Sequence, residues 1–527
     1  MRRRDLLKAG AAAAVASLAA PVPVRAERSR TLTFAPQSDL TVLDPVWTTA
    51  TVTRNHGYLV FDTLYGLDAE QKAEPQMLEG HAVEDDGNRW RLVLRDGLKF
   101  HDGEPVRSVD VVASLRRWAA RDMFGQALME RVDELAPRDD KTVEVRLKEP
   151  FPRLPDALGK PDANMPCIMP ERIAAGDPFK QVTEMIGSGP YRYVASERIA
   201  GSQVIYEKFQ NYVPRAGGTS AFTAGPKLAH FDRIKWTVLP DPGTAANALV
   251  SGEIDWWEQP TPDLVPLLQS SGKVTVLKDP LMSGIGAMRF NFLYPPFDKP
   301  AIRRAVLMAV RQADFMTAVA GTDRSYWRDK VGVFNVISPL ATAAGTDVMT
   351  GDVEKAKRAL AEAGYQGERV IILAPVDFAS IYPLAEVGAD LLKKVGMTVD
   401  LQAMDWGTVV QRRASKEPPE KRGWNIFFTY LFGTNEFSPA AHLGLRGNGE
   451  KAWFGWPSDP KLEELRRAWF AAGDVAEQQR LCAALQEEAW NFVPFVPLGQ
   501  YFQPTALRRE LTGVRQGFAQ FYDLRWS

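Results

Sequence analysis

His101 and Asp102 are adjacent in the segment KFHDGEPVRSVDVVASLRRW, residues 99–118, and a glycine follows them. Paired histidine and aspartate side chains are the groups that enzymes use for acid–base and nucleophilic catalysis. The same pair ahead of a glycine is also typical of a tight turn. The choice between a catalytic and a structural role therefore depends on the rest of the chain.

Other motifs of catalysis are missing from the sequence. It contains no GxSxG nucleophile elbow, no phosphate-binding loop and no complete GxGxxG ahead of a helix. Its five histidines show no HExxH or His-x-His spacing, and its two cysteines cannot form a thiolate zinc site by themselves. We therefore predict that the protein is not an enzyme and has no cofactor, and that His101 and Asp102 form a turn.

Residues 1–26 have the pattern of an export signal. Arg3 and Arg4 precede two leucines and Lys8, as in twin-arginine signals, and a mildly apolar stretch runs from residue 9 to residue 20. That stretch is too short and too weakly apolar to span a bilayer, which needs about 20 apolar residues. We predict that residues 1–26 are removed and that the mature chain is periplasmic, without a lipid anchor, since no cysteine follows the signal.

The mature chain is expected to be mildly acidic and to form two or three domains. The sequence has 64 basic and 65 acidic residues, of which the predicted signal holds five and one. The remaining 59 and 64 give a net charge of −5, which offers no electrostatic reason for nucleic-acid binding. Its length exceeds one ordinary hydrophobic core. Export would permit a disulfide bond between Cys167 and Cys482, and the sequence leaves that pairing open.

Apolar periodicity predicts a strand-rich first third and a second half in which helices and strands alternate. The predicted strands are 31–35, 90–94, 98–100, 143–147, 234–238, 254–256, 288–292, 370–373, 398–403 and 426–431, with a hairpin over 191–209. The predicted helices begin at Ser108 as N-cap and at Pro300, or cover 244–250, 353–363, 384–395, 460–472 and 475–490. This alternation indicates an α/β architecture.

Three further segments invite a functional interpretation. Gly187–Gly189 is followed by a proline and a strand, which favours a tight backbone crossing between domains over a phosphate-binding loop. Trp256–Glu258 could line a ligand site or pack against the end of a sheet. Tyr430–Pro439 leads from a strand into a loop rich in aromatic and hydrogen-bonding groups, where α/β sheets commonly bind ligands.

Taken in order, the segments of this chain resemble the extracytoplasmic solute-binding proteins of ABC importers, in the peptide/nickel (family 5) group. The matching segments are Leu43–Pro45, Val60–Tyr65, Trp90–Gly103, Asp110–Ser114, Gly187–Tyr191, Asn211–Tyr212, Ser251–Asp255, Phe290–Asn291, Pro295–Asp298, Arg303–Val306 and Glu362–Tyr365. They keep the order of the family across nearly the whole mature chain.

The resemblance implies an α/β, two-lobed periplasmic binding protein fold (type II) with a hinge and an extra subdomain in lobe I. The implied division is signal 1–26, lobe I 27–62, subdomain 63–186, lobe I 187–283, lobe II 284–498 and a return to lobe I over 499–527. The lobes would close over a ligand without chemistry. The implied partners are a small peptide-like or opine-like solute and the permease and ATPase subunits of an importer, and a monomer is expected.

The resemblance and the strand ends together suggest a set of ligand-binding residues. These are Gln37, Ser38, Asp39, Asn291, Asp405, Trp406, Tyr430, Phe432, Thr434, Asn435 and Glu436. Peptide-binding relatives hold the α-amino group of the ligand with an aspartate in the segment that matches Tyr430–Pro439, and this chain has none there. Either Glu436 takes that role or the ligand lacks an α-ammonium group.

Two other functions stay open. His442 follows the suspected loop and could supply one ligand in a carrier of nickel or a metal chelate. Twin-arginine export adds slightly to that possibility, because the route carries folded proteins, often with cofactors. An exported hydrolase or oxidoreductase is the more remote alternative, because no nucleophile–base pair or cofactor motif supports it.

Overall fold

The structure, a computed structural model, describes residues 30–472 and 474–527. The predicted export signal therefore lies outside the described residues. Within these two ranges, no helix has both the length and the apolar character that crossing a membrane requires.

The described residues form helices and strands throughout. The strands are β1 (Thr31–Ala35), β2 (Tyr65–Leu67), β3 (Ala73–Pro75), β4 (Leu78–Glu84), β5 (Arg89–Leu94), β6 (Val132–Pro137), β7 (Thr142–Leu147), β8 (Tyr191–Tyr193), β9 (Gln203–Lys208), β10 (Arg233–Thr237), β11 (Trp256–Trp257), β12 (Val274–Phe290), β13 (Trp327–Arg328), β14 (Arg369–Pro375), β15 (Thr398–Met404), β16 (Ile426–Phe432), β17 (Phe495–Arg508), β18 (Leu511–Thr512) and β19 (Arg525–Trp526). The α-helices are α1 (Thr51–Val60), α2 (Ser108–Arg121), α3 (Met123–Arg131), α4 (Leu154–Leu158), α5 (Glu171–Ala174), α6 (Pro242–Ser251), α7 (Val265–Ser270), α8 (Pro300–Ala309), α9 (Gln312–Ala320), α10 (Val353–Glu362), α11 (Tyr382–Lys394), α12 (Trp406–Arg412), α13 (Pro460–Ala471) and α14 (Val475–Phe492).

One sheet of eleven strands runs through the molecule. Its order is β15-β14-β16-β12-β17-β11-β1-β10-β9-β8, and β13 pairs with β17 off this path. Parallel pairs occur at both sides, where β1 lies between β10 and β11 and β14 lies between β15 and β16. The strands β12 and β17 separate these two parallel groups and pair antiparallel with each other.

The central strands β12 and β17 belong to both halves of this sheet. Residues 274–278 of β12 pair with residues 504–508 of β17, and residues 283–289 pair with residues 495–502. The register shifts between Lys278 and Ser283, so the ladder is interrupted where the two halves meet. Two strands that connect two α/β halves are the arrangement of a two-lobed, hinge-joined fold. We call the half with β1 lobe I and the half with β14 lobe II.

Lobe I carries a second sheet, with strand order β4-β5-β7-β6. On β5 and β7, buried apolar residues alternate with partly exposed ones, as the sequence predicts. Helix α2 buries Val111, Leu115 and Trp118 in the same core. Full burial of each such side chain contributes roughly 1.5–3 kcal/mol to folding.

The start of α2 differs from its prediction. The N-cap is Arg107, whose backbone amide donates to Asp110 Oδ2 at 2.8 Å. Ser108 lies inside the helix, and its hydroxyl donates to the backbone carbonyl of Asp139. The prediction of Ser108 as N-cap is therefore wrong, because the carboxylate three residues into the helix satisfies the first amide. The predicted strand at 98–100 is also wrong, since only an isolated bridge between Lys99 and Pro105 forms there.

The Gly187–Gly189 segment crosses closely over the end of α1. A Cβ atom on Gly187 would lie 2.1 Å from the Val60 carbonyl oxygen, and one on Gly189 would lie 2.7 Å from the Leu59 carbonyl oxygen. Only residues without a Cβ allow this approach. The glycines are thus used for a tight backbone crossing, as expected from the sequence.

Candidate functional site

A cavity of about 40 Å³ lies between the two lobes, and we call it the central cavity. It is lined by Thr49, Thr51, Asp162, Ala163, Phe378, Ile381, Trp406, Arg413, Thr429, Tyr430, Leu431, Phe432, Asn435, Glu436, Leu443 and Trp453. The first four belong to lobe I and the others to lobe II. The carboxyl end of β16 enters the cavity, as is common for ligand sites in α/β sheets.

Two carboxylates in the central cavity have different surroundings. Asp162 forms a buried ion pair with Arg54, with 2.7 Å between Oδ1 and Nη1. Glu436 is also buried, but its Oε2 has no hydrogen-bond partner in the described part of the chain. Burial, and then the charge of Asp162, raise the pKa of Glu436 well above its usual value. These surroundings therefore favour the protonated form of the Glu436 carboxyl group.

Arg413 follows α12 and points its guanidinium into the central cavity. It is 1% exposed, and no carboxylate of residues 30–472 or 474–527 forms an ion pair with it. Its Nη2 donates to the Thr49 hydroxyl at 3.2 Å, across the interface between the lobes. Burial lowers its pKa to about 9. Aromatic rings surround the guanidinium, with those of Phe454 and Trp406 at 5.0 and 5.3 Å.

Several other polar atoms in the cavity are free to bind a ligand. Over the described ranges, the Trp406 Nε1, the Tyr430 hydroxyl and the Asn435 Oδ1 are buried without a hydrogen-bond partner. Buried polar atoms in proteins are rarely left unpaired. A cationic guanidinium, unpaired polar atoms and aromatic sides together suit a small organic molecule that carries both polar and apolar groups.

Five of the expected ligand residues line the central cavity, namely Trp406, Tyr430, Phe432, Asn435 and Glu436. All five lie on β16, in the loop after it, or at the first residue of α12. The structure therefore brings together the part of the expected set that lies at strand ends of lobe II.

The three expected residues from the first loop lie elsewhere in lobe I. Gln37 lines a neighbouring chamber, and its amide donates to Glu258 Oε2 at 2.8 Å. Ser38 is buried outside the cavity lining. Asp39 Oδ2 accepts a hydrogen bond from the Gly201 amide at 3.0 Å.

Three expected residues of lobe II also lie outside the cavity lining. Asn291 donates to the Trp424 carbonyl at 2.9 Å and is fully buried within lobe II. Asp405 is the N-cap of α12 and accepts from the Thr408 amide at 2.8 Å. Thr434 is half-buried in the loop after β16 and does not line the cavity.

The two histidines of interest are held by backbone groups. His101 Nε2 lies 3.0 Å from the Gly189 carbonyl oxygen, while Asp102 pairs with Arg172 at 2.9 Å. The two adjacent side chains thus have separate partners. His442 Nε2 lies 2.7 Å from the Val333 carbonyl oxygen, and its Nδ1 accepts from the amide two residues on.

Other chemistry-bearing groups can be placed as well. Cys167 and Cys482 are both buried and both free. Across the described residues, no three His, Cys, Asp or Glu side chains are grouped as metal ligands. Trp257 lines a chamber next to the cavity, while Trp256 packs against Phe34 with ring centroids 5.2 Å apart.

Sequence reasoning missed five important lining residues, which are Thr49, Asp162, Phe378, Arg413 and Trp453. Arg413 had a usable signal, since it follows Trp406 by two helical turns at the end of a strand–helix unit. The others come from loops far apart in the chain, and no local pattern marks them.

Comparison with known proteins identifies the family. The family model described as bacterial extracellular solute-binding proteins, family 5, matches residues 72–448. The chain is 36% identical over 523 residues to a probable peptide ABC transporter periplasmic-binding protein of Sinorhizobium fredii, with 97% of each chain covered. It is 27% identical over 494 residues to the glutathione-binding protein of Escherichia coli K12, with 90% of each covered.

Solved structures of other periplasmic binding proteins have a similar fold. The binding protein AgaA of A. tumefaciens, in complex with agropinic acid, has a TM-score of 0.77 at 23% identity and covers 94% of this chain and 99% of its own. The DppA protein of Helicobacter pylori, in complex with the peptide STSA, has a TM-score of 0.78 at 19% identity, with 94% and 98% covered. This chain belongs to the family 5 bacterial extracellular solute-binding proteins.

Proposed function

We propose that this family 5 protein captures a peptide-like or other small organic solute with a carboxylate group, and delivers it to the permease of an ABC importer. The observation that carries the proposal is the buried Arg413 guanidinium, which faces the central cavity without a carboxylate partner in the described chain. A ligand carboxylate would supply that partner.

Arg303 is another buried arginine of lobe II, and its surroundings differ from those of Arg413. Arg303 donates to the backbone carbonyls of Phe492 and Phe297 at 2.6 Å each. Backbone carbonyl groups therefore compensate the positive charge of Arg303. Arg413 has the Thr49 hydroxyl at 3.2 Å as its acceptor and otherwise faces rings. Leaving a buried charge so weakly compensated is costly, which suits a group that is completed by a ligand.

The relatives support a small organic solute as the cargo. The names of two relatives give a peptide and glutathione, and two related structures hold agropinic acid and a tetrapeptide. The cavity supports the same class of ligand, because its aromatic sides and unpaired polar atoms match a molecule with mixed character.

Glu436 is our candidate partner for a ligand ammonium group. Its Oε2 is unpaired as far as the structure describes the chain, and Asp162 lies close enough to raise its pKa. An ammonium group placed there would favour the ionised form of Glu436 and offset its burial. A ligand without such a group would leave the pKa of Glu436 raised.

We also propose a domain division, an export route and an oligomeric state for the whole protein. We propose lobe I over 27–62 and 187–283 with the subdomain 63–186, lobe II over 284–498 and the return at 499–527. The shift of β12 register between Lys278 and Ser283 supports a hinge near the proposed boundary. We further propose twin-arginine export with removal of residues 1–26, action in the periplasm as a monomer, and no catalytic activity.

Native mass spectrometry of protein purified gently from the periplasm tests this proposal. We expect a co-purifying organic solute, which Arg413→Met loses and Arg303→Met retains. A stoichiometric metal ion in its place would favour the metal-chelate carrier. Chemical turnover of a solute by the pure protein would instead favour an exported enzyme. Retention of the solute by Arg413→Met would remove the carboxylate contact from the proposal.

A further inference from the structure

A second chamber, of about 310 Å³, opens beside the central cavity. It shares Thr49, Leu443 and Trp453 with the central cavity, so the two are neighbours. We call it the basic chamber, and its lining includes Trp47, Arg121, Phe179, Lys416, Lys451 and Trp456. Its volume is large enough for a side chain or a substituent of a ligand.

Basic groups outnumber acidic groups in the basic chamber. Arg121 from lobe I and Lys416 and Lys451 from lobe II line it, against the single carboxylate of Glu450. None of the three basic side chains forms an ion pair with a carboxylate in the described ranges. The lining of the chamber therefore has an excess of positive charge.

Arg121 is the most firmly placed of these cations. Its Nη2 donates to the Trp47 carbonyl at 2.8 Å, and its guanidinium lies 5.8 Å from the Trp47 ring and 5.0 Å from the Phe179 ring. Its Nε is buried without a partner in the parts of the chain that are described. Burial also lowers its pKa from the ordinary value. Lys416 lies over the Trp456 ring at 5.5 Å.

A third chamber, of about 50 Å³, also adjoins the central cavity. It shares Phe378 with the central cavity and contains Gln37, Gln259 and Gln503. Asp377 is the charged residue in its lining. The two chambers that adjoin the central cavity therefore differ in the sign of their charge, with basic groups in one and a carboxylate in the other.

We infer that the solute carries a second anionic group, which occupies the basic chamber while its first carboxylate contacts Arg413. The inference rests on the proposed function, because it assumes that a carboxylate-bearing solute binds in the central cavity. The fitting class is a dicarboxylic solute, such as a short peptide that ends in an acidic residue. The positive chamber would favour it over a neutral or basic solute of the same size.

The inference can be tested with the tripeptides Ala-Ala-Glu and Ala-Ala-Gln, which differ by one charge and almost nothing in shape. Isothermal titration calorimetry at low salt would measure both on the mature wild-type chain and on the variant R121Q/K416Q/K451Q. The matched control is K355Q/R358Q/K393Q, which removes the same charge from α10 and α11, outside the chamber.

We expect the wild-type chain to bind Ala-Ala-Glu about tenfold more tightly than Ala-Ala-Gln, since two of the three cations are exposed and solvent weakens their effect. The chamber variant should bind both tripeptides with equal affinity, and the control should keep the preference for Ala-Ala-Glu.

Three results would overturn the inference. If the wild-type chain binds Ala-Ala-Glu and Ala-Ala-Gln with equal affinity, the inference is wrong. The proposed function would still stand, because a tripeptide binds. A preference that survives in the chamber variant would place the second anion elsewhere. Binding of neither tripeptide to the wild-type chain would overturn the peptide-like form of the proposed function and the inference with it.

Discussion

A Cβ atom on Gly433 would lie 2.3 Å from Asp162 Oδ2. Gly433 follows β16 in lobe II, whereas Asp162 is held in lobe I by its ion pair with Arg54. The two lobes thus approach each other at this position to a distance that a methyl group would prevent. Asp162 lines the central cavity, and Gly433 directly follows the lining residue Phe432, so the contact belongs to the arrangement in which the cavity is enclosed.

Substitution of Gly433 should therefore impair closure. Gly433→Ala would place a methyl group against Asp162, so we expect at least a tenfold loss of solute affinity, because roughly 1.4 kcal/mol of closing free energy would suffice. Titration of intrinsic tryptophan fluorescence with the co-purified solute would measure the loss. The control is Gly396→Ala, at a glycine that also has positive φ but whose Cβ would meet no described atom within 4 Å. Equal affinities of the two variants would contradict a closing contact at Gly433.

Substitution of Arg413 should weaken solute binding without lowering the thermal stability of the ligand-free chain. Arg413→Met removes a buried, uncompensated charge and keeps much of the side-chain volume, so we expect the ligand-free chain to melt at the same or a higher temperature. Solute affinity should fall by roughly 10- to 100-fold, because a charged hydrogen bond contributes about 1.5–3 kcal/mol. Calorimetry with and without solute would measure both quantities.

The matched variant for this prediction is Arg303→Met. Arg303 is also fully buried, but it donates to backbone carbonyls within lobe II. Its removal should lower the melting temperature, because the carbonyls lose their donors, and leave solute affinity nearly unchanged. A drop in stability for Arg413→Met as large as that for Arg303→Met would mean that Arg413 is a structural residue.

The buried histidines predict loss of stability in mild acid. Burial lowers the pKa of His56 to about 3 and those of His101 and His442 to about 4, from an ordinary value of 6.5. The unfolded chain takes up protons below pH 6.5 while the folded chain does not, so the free energy of unfolding should fall as the pH drops from 6.5 to about 4. Each histidine contributes at most roughly 1.4 kcal/mol per pH unit.

Urea unfolding at pH 7.5, 6.0 and 5.0 would measure this dependence. His101→Asn should be less stable than the wild-type chain at pH 7.5, because the contact with the Gly189 carbonyl is lost, and should show a shallower decline toward pH 5.0. Solute affinity at pH 7.5 should not change. A large loss of affinity in this variant would restore a functional role for His101.

The sequence predicted more of the fold than of the site, for physical reasons. Strand and helix positions follow from local periodicity, which is why β14, β15 and β16 lie where the pattern places them. Trp406 and Tyr430 were found because they follow or end such strands. Asp162 and Gly433 are far apart in the chain and meet only when the lobes approach, so no local pattern marks their contact.

Asn291 shows why a residue at the end of a strand can be wrongly expected to contact the ligand. It directly follows β12, at a position that local reasoning treats as the rim of a ligand cleft. Its side chain instead donates to the Trp424 carbonyl and accepts from the Leu293 amide, at 2.9 and 3.1 Å. A polar residue at a strand end serves either a ligand or its own backbone, and the choice depends on which loops pack over it.

Solute binding should release a proton from Glu436 if the solute carries an ammonium group. The pKa of this buried glutamate is raised well above its usual value, which favours the protonated form in the ligand-free chain. An ammonium group beside the unpaired Oε2 would favour the carboxylate, and the proton would leave to the buffer. Calorimetry at pH 6.0 in buffers with different ionisation enthalpies would show a slope that corresponds to proton release, of up to one proton per solute bound.

Two near-isosteric variants decide whether Glu436 is the source of that proton. Glu436→Gln should abolish the slope. It should also raise stability at neutral pH, because a carboxyl group whose pKa is raised on folding costs more free energy as the pH rises above its unfolded value. Glu258→Gln should keep the slope, since Glu258 is also buried but accepts from the Gln37 amide at 2.8 Å and the Asn55 amide group at 2.6 Å, outside the central cavity. A wild-type slope of zero would mean that the solute brings no ammonium group to Glu436, which would leave carboxylate recognition by Arg413 as the main polar contact.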